Sequence, residues 1–269
     1  MKVAVLGPKG SFSNEAALKY DKDAELVFKK TIWYVFDAIK NLEADIGIVP
    51  IENSVSGPVS STLDSLMEFD FNIIAELLLP IKHNLAGIGK VDQIRKIYAH
   101  PQTLSQCEKF IRKYFPNADI SRTSSNSKSA ETVSRKNDPT RAAIIPNAAA
   151  KIYSLDIIKK NIQDSSHNVT RFIVISRGKA KKTGKDRTSV TIYPQSDKPG
   201  LLYSLLGEFA NNKINLTKIE SRPSKGKLGD YVFYIDFEGH EEDESVKESF
   251  EKIKKVAYLR ILGSYPRVY

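Results

Sequence analysis

The sequence predicts an α/β protein in two parts: a mostly parallel α/β part over residues 1–177 and a βαββαβ ferredoxin-like domain over 187–269, joined by a linker at 178–186. Three observations carry this. Short β-branched runs alternate with amphipathic segments through the first part, as they do in α/β domains. The rhythm then changes, and strand, helix, strand, strand, helix and strand follow one another after residue 187. Between the two lies RGKAKKTGK (177–185), in which seven of nine residues are Lys, Arg or Gly. With no aromatic residue to stack on bases, that run reads as a solvated linker and not as a nucleic-acid site.

In the first part, strands are predicted over 3–6, 25–28, 46–50, 73–79, 96–99, 118–122, 142–145 and 170–175. A Ser-rich helix start follows Gly10, and apolar residues recurring at three or four positions predict helices over 32–42, 59–67, 104–114, 127–135 and 147–152. So many strands fit two lobes better than one sheet. In the second part, strands are predicted over 188–193, 215–220, 231–237 and 258–262, with helices over 201–211 and 241–255 and a turn over 194–199. That order places both helices on one face of an antiparallel sheet.

Composition narrows the function. With 41% apolar residues and 12 prolines in 269, the chain can build packed cores. The formal charge of +9 is spread, +4 over 178–269 and +5 over 1–177, so it marks no nucleic-acid surface. The lone Cys107 excludes an internal disulfide and fits a reducing, cytoplasmic compartment. The aliphatic run before Gly7 is too short for a signal-peptide core, and no apolar stretch reaches membrane-span length, so no membrane partner is expected.

Four segments bring polar side chains to strand ends, where open α/β sheets present residues to a ligand. They are GPKGSFS (7–13), PIENSVSGPVSSTLDSL (50–66), AHPQTLSQC (99–107) and NVTRF (168–172). The first has the strand-to-helix layout of a phosphate cradle but lacks the glycine spacing of a nucleotide loop. Glu52, Asn53 and Ser54 should emerge at the carboxyl end of the strand that Pro50 helps to stop. The Thr170-Arg171 pair opens a strongly apolar strand, where a charge requires a partner. Hydroxyls, amides, one arginine and helix N-termini suit a small carboxylate-bearing anion. Four histidines show no metal-ligand spacing, and Cys107 with His100 could form a nucleophile and base only if the fold joined them.

Residues 1–177 resemble the prephenate dehydratase family through GPKGSFS, ADIGIVPIENSVSGPV, HPQTLSQC and, most specifically, NVTRF. The remainder resembles an ACT domain, a regulatory amino-acid-binding module, through DKPGLLYSLL and LTKIESRP. The resemblance implies a bilobal catalytic part similar to type II periplasmic solute-binding proteins. Lobe one would be 1–78 with 160–177, and lobe two 79–159. It implies a carbon–oxygen lyase with no cofactor and no metal, removing carbon dioxide and water from prephenate to give phenylpyruvate in phenylalanine biosynthesis. It also implies a homodimer or homotetramer inhibited by L-phenylalanine at its ACT domains.

By that resemblance the catalytic residues are Thr170, Arg171 and Asn53, and Ser13, Glu52, Ser54, Gln106 and Phe172 bind substrate. Thr170 would hydrogen-bond the departing hydroxyl and Arg171 would anchor the pyruvyl carboxylate. Gly200, Leu201, Leu202, Glu220, Ser221, Arg222 and Pro223 would form the effector pocket, where the Asp197-Lys198-Pro199-Gly200 turn lets a ligand backbone approach. The chain departs from the family's pattern at Ala99, often Ser, and at Ser125-Asn126-Ser127-Lys128-Ser129, usually Ser-Thr-Ser-Ala-Ala. The family's Gly-Ala-Leu-Val is Gly200-Leu201-Leu202-Tyr203. Two alternatives stay open: arogenate dehydratase, which differs in an amino for a keto group, and a non-enzymatic amino-acid-sensing binding protein.

Overall fold

The computed structural model describes residues 1–195, 198–224 and 230–269; Asp197 of the expected effector turn lies outside them. The chain forms two compact units, Met1–Ser65 with Leu77–Phe172, and Leu66–Glu76 with Ile173–Tyr269. The packing boundary therefore departs from the expected break at 177, because residues 66–76 and 173–177 belong with the second unit. No helix among the described residues is long and apolar enough to cross a membrane.

The first half of the chain builds two sheets, as the strand count suggested. One holds β1 (Lys2–Leu6), β2 (Glu25–Lys29), β3 (Ile46–Asn53), β4 (Gly57–Pro58), β5 (Asn72–Pro80) and β11 (Val169–Ser176) in the order β2-β1-β3-β11-β5, with β4 on β3. The other holds β6 (Asn84–Gly87), β7 (Lys96–Ala99), β8 (Asp119–Arg122), β9 (Arg141–Ile145) and β10 (Asp156–Lys159) in the order β10-β6-β9-β7-β8. Strand β1 pairs in parallel with both β2 and β3. Its Val3, Ala4 and Val5 are all fully buried, so it reads as a continuous apolar run with no alternation. The expected stop at Pro50 does not occur. Register with β1 ends at Ile48, so the proline lies beyond that ladder and β3 continues to Asn53.

Helices α1 (Phe12–Tyr20), α2 (Ile32–Lys40) and α6 (Asn126–Lys136) are capped by Ser11, Thr31 and Ser125, whose side chains accept N–H bonds from Asn14, Tyr34 and Lys128. In α2 the buried residues Ile32, Val35, Phe36 and Ile39 recur at helical spacing. Helices α3 (Ser60–Glu68) and α7 (Asn147–Ile152) lie close to their expected positions. The single helix expected over 104–114 is instead α4 (Pro101–Gln106) and α5 (Glu108–Tyr114), broken at Cys107. A distant residue satisfies the break: Asp164 donates its N–H to Gln106 O at 2.7 Å and its carboxylate accepts Lys109 N–H at 3.0 Å.

The second unit contains the expected βαββαβ order: β12 (Asp186–Pro194), α8 (Leu201–Asn211), β13 (Leu216–Pro223), β14 (Tyr231–Glu238), α9 (Glu244–Ile253) and β15 (Ala257–Pro266). The strands form an antiparallel sheet in the order β13-β14-β12-β15. Leu201, Leu205 and Phe209 of α8 and Val246, Phe250 and Ile253 of α9 share one core with Val190, Ile192, Ile235 and Phe237, so both helices cover one face. Segment 66–76 joins this unit by charge and close contact. Arg187 Nη1 meets Glu76 Oε2 at 3.0 Å, Arg260 donates to Phe69 O at 2.5 Å, and a Cβ on Gly263 would fall 2.2 Å from Ile73 O.

Candidate active site

Strand β1 ends at Leu6 and turns through a cis Gly7–Pro8 peptide into the capped start of α1. This turn forms one side of a cavity of about 350 Å³. Pro50 and Asn53 of β3 and Thr170 and Phe172 of β11 form a second side, and Gln102, Thr103 and Gln106 of α4 a third. Ser124, Ser125 and Asn126, at the start of α6, close the wall together with His83 and His100. Among the described residues lining the cavity none is Lys, Arg, Asp or Glu. Burial lowers the pKa of both histidines, so they are neutral near pH 7. An anion in this cavity would therefore meet the N-termini of α1 and α6, hydroxyls and amides, with no ammonium or guanidinium.

Of the residues expected to act on substrate, Thr170, Asn53, Gln106, Ser13 and Phe172 line the cavity. Asn53 is 8% exposed and its amide is fully engaged. Its Oδ1 accepts the N–H groups of Val55 and Ser56 at 3.0 and 2.9 Å, and its Nδ2 donates to Asn168 Oδ1 at 2.7 Å and Thr170 Oγ1 at 2.9 Å. Asn53 thus acts on Thr170, and the direct substrate contact expected of it is revised. As an acceptor toward Asn53, the Thr170 hydroxyl has its own hydrogen left for a ligand.

Three expected substrate contacts lie elsewhere. Arg171 alternates with Thr170 and Phe172 along β11, does not line the cavity, and pairs through Nε with Glu52 Oε1 at 2.7 Å. The structure thus sets Arg171 against Glu52 and not among the described lining residues, where a carboxylate anchor was expected. Ser54 is occupied too: its hydroxyl donates to His167 O at 2.7 Å and accepts Val169 N–H at 2.9 Å, clamping the start of β11. His83, Gln102, Thr103 and Asn126 line the cavity without having been expected. Gln102 and Thr103 stand in the polar segment AHPQTLSQC and Asn126 in the Ser125–Ser129 helix start, while nothing around His83 in the sequence marks it.

Cys107 is fully buried, and its thiol is pushed up to about 12 by burial and then by the nearby Asp164 charge. The pairing of Cys107 and His100 as nucleophile and base is thereby excluded, since the thiol stays protonated at any physiological pH. We expect a thiol reagent at mildly alkaline pH to leave the folded chain unlabelled and to label it once it unfolds. Rapid labelling of the folded chain would contradict this.

In the second unit, Gly200, Leu201 and Leu202 line a cavity of about 510 Å³ with Tyr193, Lys198, Tyr231 and Phe233. Glu220, Ser221, Arg222 and Pro223 lie on β13 and are not among its described lining residues. Gly200 has a φ of 82° and a Cβ there would meet nothing within 4 Å, so the glycine answers to backbone conformation and not to a close neighbour within the chain.

Residues 3–180 match the family model of prephenate dehydratase, and residues 195–255 match that of the ACT domain. A prephenate dehydratase of Methanocaldococcus jannaschii is 41% identical over 267 residues, covering 96% of this chain and 96% of its own. Among solved structures, prephenate dehydratase from Arthrobacter aurescens in complex with L-Phe aligns with a TM-score of 0.91 at 35% identity, covering 99% of this chain and 90% of that one. A protein described as a novel type of quorum quenching acylase aligns with a TM-score of 0.89 at 25% identity, covering 99% and 98%. On the matched length and these identities, the chain belongs to the prephenate dehydratase family.

Proposed function

We propose that the cavity around Thr170 converts prephenate to phenylpyruvate, carbon dioxide and water. The family makes this chain an enzyme, a carbon–oxygen lyase. The observation that carries the reading is the Asn53 to Thr170 bond, which leaves the threonine hydroxyl as a donor in a cavity with no Lys or Arg among its described lining residues. As the ring carboxylate leaves, the electrons of its C–C bond enter the ring, and those of the C–O bond depart with the hydroxyl. Thr170 donates to that oxygen while negative charge grows on it, and solvent supplies the net proton that makes water. The hydrogen bond strengthens in the transition state, so it contributes to turnover more than to binding.

The absence of a guanidinium among the described lining residues fits this chemistry. A firm ion pair to the ring carboxylate would stabilise the ground state that decarboxylation must leave. The N-termini of α1 and α6 offer weaker dipoles to both carboxylates, while Arg171 and Glu52 brace the strand that carries Thr170. Adding prephenate to the purified chain and following phenylpyruvate absorbance tests the reading. Absence of product from a folded chain would overturn it, and faster turnover of arogenate would reassign the substrate.

The catalytic part comprises residues 1–177 and the regulatory part 187–269, with the described residues of the linker between them. The cavity at Gly200, Leu201 and Leu202 takes L-phenylalanine, supported by the ACT match and by the relative that binds L-Phe. The chain works in the cytoplasm, as its single cysteine suits, and as a homodimer or homotetramer. Inhibition requires phenylalanine to prefer an inactive arrangement over the active one. We expect added phenylalanine to lower turnover and shift the oligomer's sedimentation. Saturating binding without loss of turnover would remove the inhibitory role.

A further inference from the structure

The polarity of the hydrogen bonds behind the cavity is fixed from one end. Val55 and Ser56 present backbone N–H groups to one oxygen of Asn53, and a backbone N–H can only donate. The other end of the Asn53 amide is therefore its NH₂, which donates to Thr170 Oγ1 and to Asn168 Oδ1. Asn168 must then present its own NH₂ onward, and it donates to Gln106 Oε1 at 3.0 Å. That oxygen also meets His83 Nε2 at 2.8 Å, so the imidazole carries its proton on Nε2. Gln106 is left with its NH₂ toward Ser56 Oγ at 3.1 Å, with a second hydrogen for the cavity.

Asn168 is 3% exposed and does not line the cavity, yet it stands between two groups that do, Asn53 with its Thr170 and Gln106. We infer that Asn168 is a positioning residue for the reaction, the centre of a one-way chain that orients the Thr170 hydroxyl at one end and the Gln106 amide at the other, with His83 as its terminal donor. The inference rests on the proposed activity for its consequence, but the direction of the chain does not. Asn168 is the only side chain in the relay that must donate and accept at once toward side chains without touching the cavity. Its replacement by a group that can only accept would leave two acceptors facing each other at Gln106.

Asn168→Asp tests this, because its acid form restores the missing donor and its ionised form does not. Burial at this 3%-exposed position raises the new carboxyl's pKa, so recovery should fall within reach of assay as pH is lowered. At neutral pH we expect kcat to fall by about 10²-fold, the scale of a small misplacement in a preorganised site, with KM changing less. Relative to wild type at each pH, turnover of Asn168→Asp should rise as pH falls, whereas Asn168→Ala should show the loss without recovery. A ratio flat in pH, or wild-type turnover in Asn168→Ala, would overturn the inference.

His83→Gln, which keeps a donor for Gln106, should recover most of what His83→Leu loses, and equal loss in both would count against the terminal role. Nitrogen NMR of the unsubstituted chain needs neither activity nor a variant that folds. A His83 proton on Nε2 is expected, and a proton on Nδ1 would reverse the chain and sink the inference. A wild-type chain inert toward prephenate would instead sink the proposed reaction alone.

Discussion

Thr170→Ala is expected to lower kcat by about 10²–10⁴-fold, the range supplied by one positioned proton donor, while circular dichroism and the unfolding midpoint stay close to wild type. The side chain is 8% exposed at the cavity wall, so its removal opens toward the cavity and not into a closed core. Asn53 keeps Asn168 Oδ1 as an acceptor, which limits the cost in stability. Substrate should still bind, because the dipoles of α1 and α6 and the Gln106 amide remain. The loss should therefore appear in kcat far more than in KM, as it does when an interaction exists only in the transition state. Thr170→Ser, which keeps the hydroxyl, should recover most of the rate. Turnover of Thr170→Ala within a few-fold of wild type would take Thr170 out of the reaction.

The largest expected effect on stability belongs to the second unit. Glu76→Ala should destabilise the chain by about 3–5 kcal/mol, because it takes a buried carboxylate away from the buried Arg187 guanidinium. The side chains are 0% and 1% exposed, with Arg187 Nη1 at 3.0 Å from Glu76 Oε2. The same carboxylate accepts Val268 N–H at 3.0 Å, and the Arg187 guanidinium lies 4.3 Å from the centre of the Tyr269 ring. Replacing both partners, as in Glu76→Leu with Arg187→Met, should be milder than either single change, since both charges of this pair are then removed together. Urea unfolding of the three variants checks both statements. A cost below about 1 kcal/mol, the range of an exposed pair, would show that this pair is not buried in solution.

Elements that carry their own signals were legible in the sequence. The apolar spacing of α2 and of α6 and the βαββαβ order of residues 186–266 all reduce to local chemistry. What escaped depends on distant partners. Nothing near Cys107 announces a break between α4 and α5, since the group that satisfies it is Asp164. Short strands β6 and β10 pair with each other and β6 with β9, and their own sequences show little alternation. The site divides in the same way. Thr170, Asn53 and Gln106 were named from motifs and line the cavity, whereas Arg171, named from the same motif, is not among its described lining residues. Strand β11 is buried on both sides, so periodicity alone could not say which side held the cavity. Asn168 stood in the quoted NVTRF motif without a role, because its value lies in hydrogen-bond direction and no motif expresses that.

Segment 66–76 has a consequence for modularity. A cut in the linker would look clean by sequence, since a family match ends at residue 180 and another begins at 195. By packing it would not be clean: Glu76 would lose Arg187, the carbonyls of Met67 and Phe69 would lose Arg260, and Ile73 would lose the strand at Gly263. A fragment ending near residue 177 would keep the apolar Phe69, Phe71 and Ile73 without the unit that encloses them. Gene fusion or domain exchange in this family member would thus carry the ACT module only together with a stretch encoded more than a hundred residues upstream, which makes the two parts one unit of inheritance.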